Sequence, residues 1–179
     1  MKAKNLVICL VGFFLALSLF SQNSLAWWNS NWQYRKPIII NNTQNPNTLT
    51  DYQVVVNISF VSGKMVSDFS DIRFTWYNST DQSEIEIPYW IESKVDSSWA
   101  YVWVKVPFIP ANDYATIYVY YGNTSVVTSA SNPYNVFILY EDFENGMENW
   151  IQEAGSWSIM DCPGRITKCV YVESHGAIL

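Results

Sequence analysis

Apolar side chains return at every second position along most of this chain, and that period dictates the backbone they can share. Val54, Val56 and Ile58 alternate with Val55 and Asn57, and Ile72, Phe74 and Trp76 alternate with Arg73, Thr75 and Tyr77. Ile85 and Ile87 alternate with Glu84 and Glu86. Ala100, Val102, Val104 and Val106 alternate with Trp99, Tyr101, Trp103 and Lys105, and Ile117, Val119 and Tyr121 with Thr116, Tyr118 and Tyr120. Successive side chains on a strand point to opposite faces, so a period of two gives one face to a core and one to the outside. No window sustains helical spacing. A further strand is expected at Tyr34 to Asn41, giving six before residue 125. Turn-rich pieces separate them at Asn42 to Thr50, Ser62-Gly63-Lys64, Asn78 to Ser83, Asp96-Ser97-Ser98, Pro110 to Asp113 and Tyr121-Gly122-Asn123. Short β-branched and aromatic strands with such punctuation predict an all-β fold, an antiparallel, jelly-roll-like β-sandwich.

Two strands break the inside/outside division. Over Trp99–Val106 and Ala115–Tyr121 both faces are apolar or aromatic, in a chain that is 17% aromatic and only 15% charged. The aliphatic side suits the core, which leaves Trp99, Tyr101, Trp103, Tyr118 and Tyr120 on the other. A face that large is rarely left bare. Either loops, the Trp27-Trp28 segment or a second domain cover it, or it is a platform on which aromatic rings stack against sugar C–H faces.

The N-terminus reads as an export signal. Lys2 and Lys4 precede the uninterrupted apolar run Leu6 to Phe20, and Ser24-Leu25-Ala26 offers small residues for cleavage. The run is short for a bilayer span, which takes roughly 20 residues. Residues 1–26 are therefore expected to be a signal peptide, with an uncleaved membrane anchor as the alternative, and the mature chain is expected to be secreted or held at the cell surface without a membrane span. Outside the cell Cys162 and Cys169, flanking Pro163-Gly164, read as a disulfide across a hairpin loop. Four Asn-x-Ser/Thr triplets, at Asn41, Asn57, Asn78 and Asn123, are candidate glycosylation positions. With 10 Lys+Arg against 16 Asp+Glu, and no basic stripe, the chain is unsuited to nucleic acid.

Composition shifts near residue 125, where a Ser/Thr/Asn-rich connector containing Pro133 begins. Strand-like pattern resumes at Val136–Tyr140, Ser156–Met160 and Cys169–Glu173, too little for a second sandwich. The organisation expected is a signal peptide at 1–26, a β-sandwich domain at 27–140 and an incomplete second β domain at 141–179, with downstream domains missing.

Seven ordered blocks carry a family resemblance: Trp32 to Ile38, Asp51 to Val54, Asp71 to Phe74, Pro88 to Glu92, Ala100 to Pro107, Ile117 to Asn123 and Val136-Phe137. Over about Trp27 to Tyr140 they resemble the domain of unknown function numbered 2341, found in exported and surface proteins of archaea and bacteria. The stretch from Tyr140 to Gly146, with Trp150 and Trp157 to Ile159, resembles the start of a concanavalin-like (laminin-G-like) jelly roll. The resemblance implies a surface-associated multidomain protein and supplies no catalytic residues to carry over.

The residues offer little chemistry. His175 is the only histidine, so no nucleophile–histidine arrangement can form in the first domain. Glu84 and Glu86 share a strand face and read as solvated acids rather than a catalytic pair. Glu92, after Pro88-Tyr89-Trp90, either pairs with Arg73 or Arg35 or accepts a sugar hydroxyl beside Trp90. Asp68, Asp71 and Asp81 are weak candidates for calcium, and Asp142 and Glu144 stronger ones; no other cofactor is expected. The function expected is a non-enzymatic, exported surface or adhesion module recognising glycan or another envelope component. The rivals are a structural spacer and the non-catalytic front of a polysaccharide-degrading enzyme.

Overall fold

The computed structural model describes residues 27–126, 128–163 and 167–173. The expected signal peptide and His175 lie outside the described residues, as do Gly164 and its two successors. Seven strands build the main body: β1 (Tyr34–Asn41), β2 (Leu49–Ser59), β3 (Arg73–Asn78), β4 (Ser83–Ile87), β5 (Tyr89–Val95), β6 (Trp99–Ile109) and β7 (Tyr114–Tyr121). They form a four-stranded sheet in the order β1-β7-β3-β4 and a three-stranded sheet in the order β2-β6-β5. Every pairing is antiparallel. The first strand pairs with the last and the second with the last but one, each nested pair in its own sheet, as when a long hairpin is rolled up. This is the jelly-roll-like sandwich that the alternation predicts.

One strand escaped the pattern. The run from Ser83 to Val95 is two strands, because Pro88 has no N–H to donate and sits where the chain bends from one sheet into the other. The Pro88 carbonyl still accepts from Lys105 N at 3.0 Å. Beyond the bend, β5 shifts register against β6 between Ile91 and Ser93, so Glu92 is a bulge and the alternation is lost. Conversely, Val136–Tyr140 is not a strand. Asn132 caps a one-turn helix, α1 (Pro133–Val136), its side chain accepting from Tyr134 N, and Pro133 stands in the first turn, where its fixed φ suits a helix. The tail does form the expected hairpin, β8 (Ser156–Asp161) with β9 (Lys168–Glu173).

The core lies between the sheets. Val102, Val104 and Val106 of β6 face Ile117 and Val119 of β7, with Phe74 and Tyr89 beside them, all buried. The β2–β3 link closes one end: Phe69 and Ile72 are fully buried, and Ser67 O accepts from Ser97 N in the β5–β6 turn at 2.8 Å. Gly122, just past β7, has φ +91°, and a Cβ there would sit 2.6 Å from the Tyr34 ring, so only glycine fits. Among the described residues no helix is long and apolar enough to cross a membrane.

Ile117 is central to β7 and fully buried. Ile117→Ala should lower unfolding free energy by about 2–5 kcal/mol, the cost of losing a core aliphatic and leaving a cavity. Urea denaturation followed by tryptophan fluorescence reads this; a loss well under 1 kcal/mol is incompatible with the packing described.

Candidate ligand-binding surface

Strands β6 and β7 lie in different sheets, so their aromatic sides face opposite ways. The single five-residue platform expected from sequence is therefore two surfaces. Tyr118 and Tyr120 sit on the outer face of the four-stranded sheet; Trp99, Tyr101 and Trp103 on that of the three-stranded sheet. The crossover at Pro110–Asp113 makes this split.

The first surface is closed. Trp27 and Trp28 pack edge-on against Tyr120 with ring centroids 5.2 and 5.5 Å apart, and Trp28 packs on Trp32 at 5.0 Å. Indole N–H groups fasten this cover: Trp27 Nε1 donates to Trp32 O at 2.8 Å and Trp32 Nε1 to Asp71 O at 2.6 Å. Tyr120 is fully buried beneath it. Register brings Arg35, Tyr120, Arg73, Thr75, Glu84 and Glu86 onto this same face. Arg35 Nη1 donates to Glu84 Oε2 at 2.9 Å and to the Tyr120 hydroxyl at 3.0 Å. That hydroxyl donates to Glu84 at 2.8 Å and accepts from Trp28 N at 3.2 Å, and Thr75 donates to the other Glu84 oxygen at 2.5 Å. The guanidinium also lies over the rings of Trp27 and Tyr118, at 5.0 and 4.8 Å. Glu84 is thus no solvated acid: its side chain is 2% exposed and its oxygens are occupied. Glu86 is 44% exposed and pairs more loosely with Arg73 at 3.5 Å; burial raises its pKa and Arg73 opposes the rise.

The second surface is half closed. Across it run three rows: Ser59–Trp99–Val95, Asn57–Tyr101–Ser93 and Val55–Trp103–Trp90. Phe137 packs edge-on against Trp90 and Trp103, with centroids at 5.7 and 5.6 Å, and Tyr140 against Trp90 at 5.1 Å. The connector is held there by Gln53 Nε2 donating to Val136 O at 2.9 Å and Ile91 N to Ser131 Oγ at 2.8 Å. Glu92, placed outward by the bulge, accepts from Trp103 Nε1 at 2.8 Å. It pairs with neither Arg35 nor Arg73, which stand on the other sheet's outer face. At the uncovered end Trp99 and Tyr101 remain 37% and 39% exposed, with Val95 beside Trp99 and Val55 diagonal to Tyr101. Rings two apart on a strand are about 7 Å apart. Past the cover, Tyr134, Phe137, Tyr140 and Trp150 line a cleft of about 620 Å³ with Glu141 and Glu148 at its wall. Sequence reading missed Phe137 and Tyr140 as partners of this surface; their clue was two aromatics four and seven residues after Pro133.

The remaining candidates are scattered. Asn57 is exposed on β2 opposite Tyr101. Asn41, Asn78 and Asn123 each use the side-chain oxygen to accept from the backbone N–H two residues on. Cys162 lies opposite Thr167 and Cys169 opposite Met160, so the two cysteines stand diagonally across the β8–β9 pair. Asp142 accepts from Glu144 N within a turn, and Glu144 reaches β9, accepting from Lys168 N. Asp71 is buried and accepts from Val66 N at 3.1 Å and Gly122 N at 2.6 Å. Among the described residues no cluster of three or more His, Cys, Asp or Glu side chains is placed to hold a metal ion.

Two outcomes follow from the burial of these polar groups. Glu84→Gln removes the countercharge of Arg35 and should cost about 3 kcal/mol, the low end for a broken buried pair because Arg35 keeps 21% of its side chain in water. Glu86→Gln should stay within about 1 kcal/mol, as for an exposed pair; equal losses in chemical denaturation would contradict the assignment. Burial also raises the phenol pKa of Tyr89 and of Tyr120. A raised folded-state pKa gives stability that is complete below the ordinary phenol value of about 10 and lost as pH climbs through the folded value. Ultraviolet titration should show these two phenolates appearing late, together with unfolding.

A family model for a domain of unknown function (DUF2341) matches residues 68–159. No curated protein and no solved structure matches the chain. The matched span takes in β3 to β7, α1 and the first residues of β8, while β1 and β2 complete the sandwich from outside it. It begins later than Trp27 and runs past Tyr140, so it holds Glu84, Thr75 and Tyr120 of the buried cluster and the β5–β6 aromatics with Phe137 and Tyr140, while Arg35, Trp28 and the β2 residues lie before it. Covering just over half of the 179 residues, it establishes that this chain belongs to the DUF2341 family.

Proposed function

We propose that this chain is a non-catalytic binding module of an exported surface protein, and that it takes glycan on the outer face of its three-stranded sheet. The observation that carries the reading is the pair Trp99 and Tyr101, exposed side by side on one rigid strand. Aromatic rings fixed on a strand meet the apolar faces of sugars without ordering cost. Trp103 and Glu92 support that strip from below the cover, the indole already bonded to the carboxylate. Catalysis finds no support in the buried acids, since Glu84 has its oxygens committed to Arg35, Thr75 and Tyr120. A structural spacer is the second reading, and the seat of Phe137 and Tyr140 on Trp90 favours it: the segment after the sandwich already uses half of the surface.

A glycan array with the purified chain separates the two. Trp99→Ala is the informative variant, because Trp103 is half-buried and its loss would disturb the cover as well. Binding should weaken by about tenfold, the scale of one aromatic contact of ~1.4 kcal/mol. Retention of no glycan, or binding unchanged in Trp99→Ala and Tyr101→Ala, sinks the proposal in favour of the spacer.

A further inference from the structure

The two sheets have four edge strands, and three of them carry a device against pairing with another chain. β1 has Lys36 and Pro37 in its middle. β4 is five residues long and carries Glu84 and Glu86. β5 has the Glu92 bulge and Lys94, and its edge receives the connector, with Ile91 N bonded to Ser131 and Tyr89 O to Asn132 N. Charge, proline, shortness, bulges and cover are the usual means of blunting a strand edge.

From Tyr52 onward β2 has none of them among the described residues. It is eleven residues long, Leu-Thr-Asp-Tyr-Gln-Val-Val-Val-Asn-Ile-Ser, with no proline and no basic residue. Its one acid, Asp51, sits near its start at φ 48°, and from Tyr52 to Ser59 it keeps unbroken register with β6. Its other edge pairs with no strand among the described residues. Beside that edge runs a groove of about 410 Å³ between the sheets, lined by Ile38 to Asn41 of β1 and Val54 to Asn57 of β2, all uncharged. Ile39 is 60% exposed, and Val55 and Tyr52 are exposed as well.

We propose that this edge pairs antiparallel with β2 of a second copy, across a two-fold axis, so that the three-stranded sheets of both copies become one. An open edge offers backbone N–H and C=O groups in strand register, and only another strand satisfies them in order. Antiparallel self-pairing about a two-fold sets like face to like face, so Val54, Val56 and Ile58 meet the same residues of the other copy on the core side. The chain is acidic, at −6, yet Tyr52 to Ser59 carries no charge, so the seam brings no like charges together. The second copy also lies over the apolar groove, which no segment of the described chain fills.

Sedimentation velocity over an about hundredfold concentration range should show a monomer–dimer equilibrium. Amide exchange should show residues 52–59 gaining protection as the dimer forms. Val55→Lys places a charge on the outward side of the seam without entering the core, and should weaken dimerisation at least about tenfold while leaving the melting of the monomer unchanged. Asn57→Lys is the second variant if Val55→Lys folds poorly. A monomer at every concentration overturns the proposal, as does a dimer indifferent to both lysines or protected elsewhere. Open-ended aggregation, or protection of 52–59 only when an extended foreign peptide is added, overturns it too. These outcomes do not depend on whether Trp99 and Tyr101 bind glycan.

Discussion

Strands β6 and β7 are apolar on both faces, and the rest of the molecule is arranged around that demand. Each gives its aliphatic side to the shared core and turns aromatic rings outward, so a two-layer sandwich leaves two further surfaces to be kept from water. The chain meets the demand with its flanking segments. The residues before β1 cover Tyr120 with Trp27 and Trp28, the latter backed by Trp32, and the residues after β7 cover Trp90 and Trp103 with Phe137 and Tyr140. The first cover is complete and the second stops halfway, which is why the two ends of one β6 face differ.

Closing the first surface imposed an electrostatic problem that the residues beneath it solve together. Arg35, Glu84 and Tyr120 come from β1, β4 and β7, and each satisfies the others in one cluster, with Thr75 and Trp28 N taking the remaining positions. A buried pair of this kind adds little net stability over apolar packing, but it tolerates no missing member. It therefore fixes the register of the four-stranded sheet, since a one-residue slip would send Arg35 to the core side. Asp71 does comparable work at the sandwich end, joining the β2–β3 link, Gly122 and Trp32 through one residue.

Period-two alternation was enough to read most strands, and β1 was found at its observed bounds. It failed where the backbone departs from a regular pleat: Pro88 and the Glu92 bulge hid β5, and a capped turn at Pro133–Val136 with irregular chain after it stands where a strand was expected from Val136. Sheet membership was not legible at all. The patterns of β6 and β7 are alike, and only the direction of the link at Pro110–Asp113 assigns them to different layers. That missing fact joined Tyr118 and Tyr120 to Trp99; the unseen bend at Pro88 likewise gave Glu92 to arginines on the far sheet, and the unseen Trp27-Trp28 cover left Glu84 looking like a surface acid. Pairing across layers depends on residues distant in sequence, which periodicity does not register.

The nesting of β1 against β7 has a mechanical meaning. Tyr34 stands directly opposite Tyr121, with their rings stacked at 5.5 Å, so the chain enters and leaves the sandwich at the same point. Tension between those two points pulls the strands apart crosswise and loads their ladder one bond at a time, from Tyr34 inward, instead of sharing the force among all of them. Among the described residues the tryptophan clasp and the Gly122–Asp71 bond on one side and the docked connector on the other stand between such a pull and the first bond. A domain strung this way yields early and lengthens, and its resistance to stretching resides in its covers more than in its sheets.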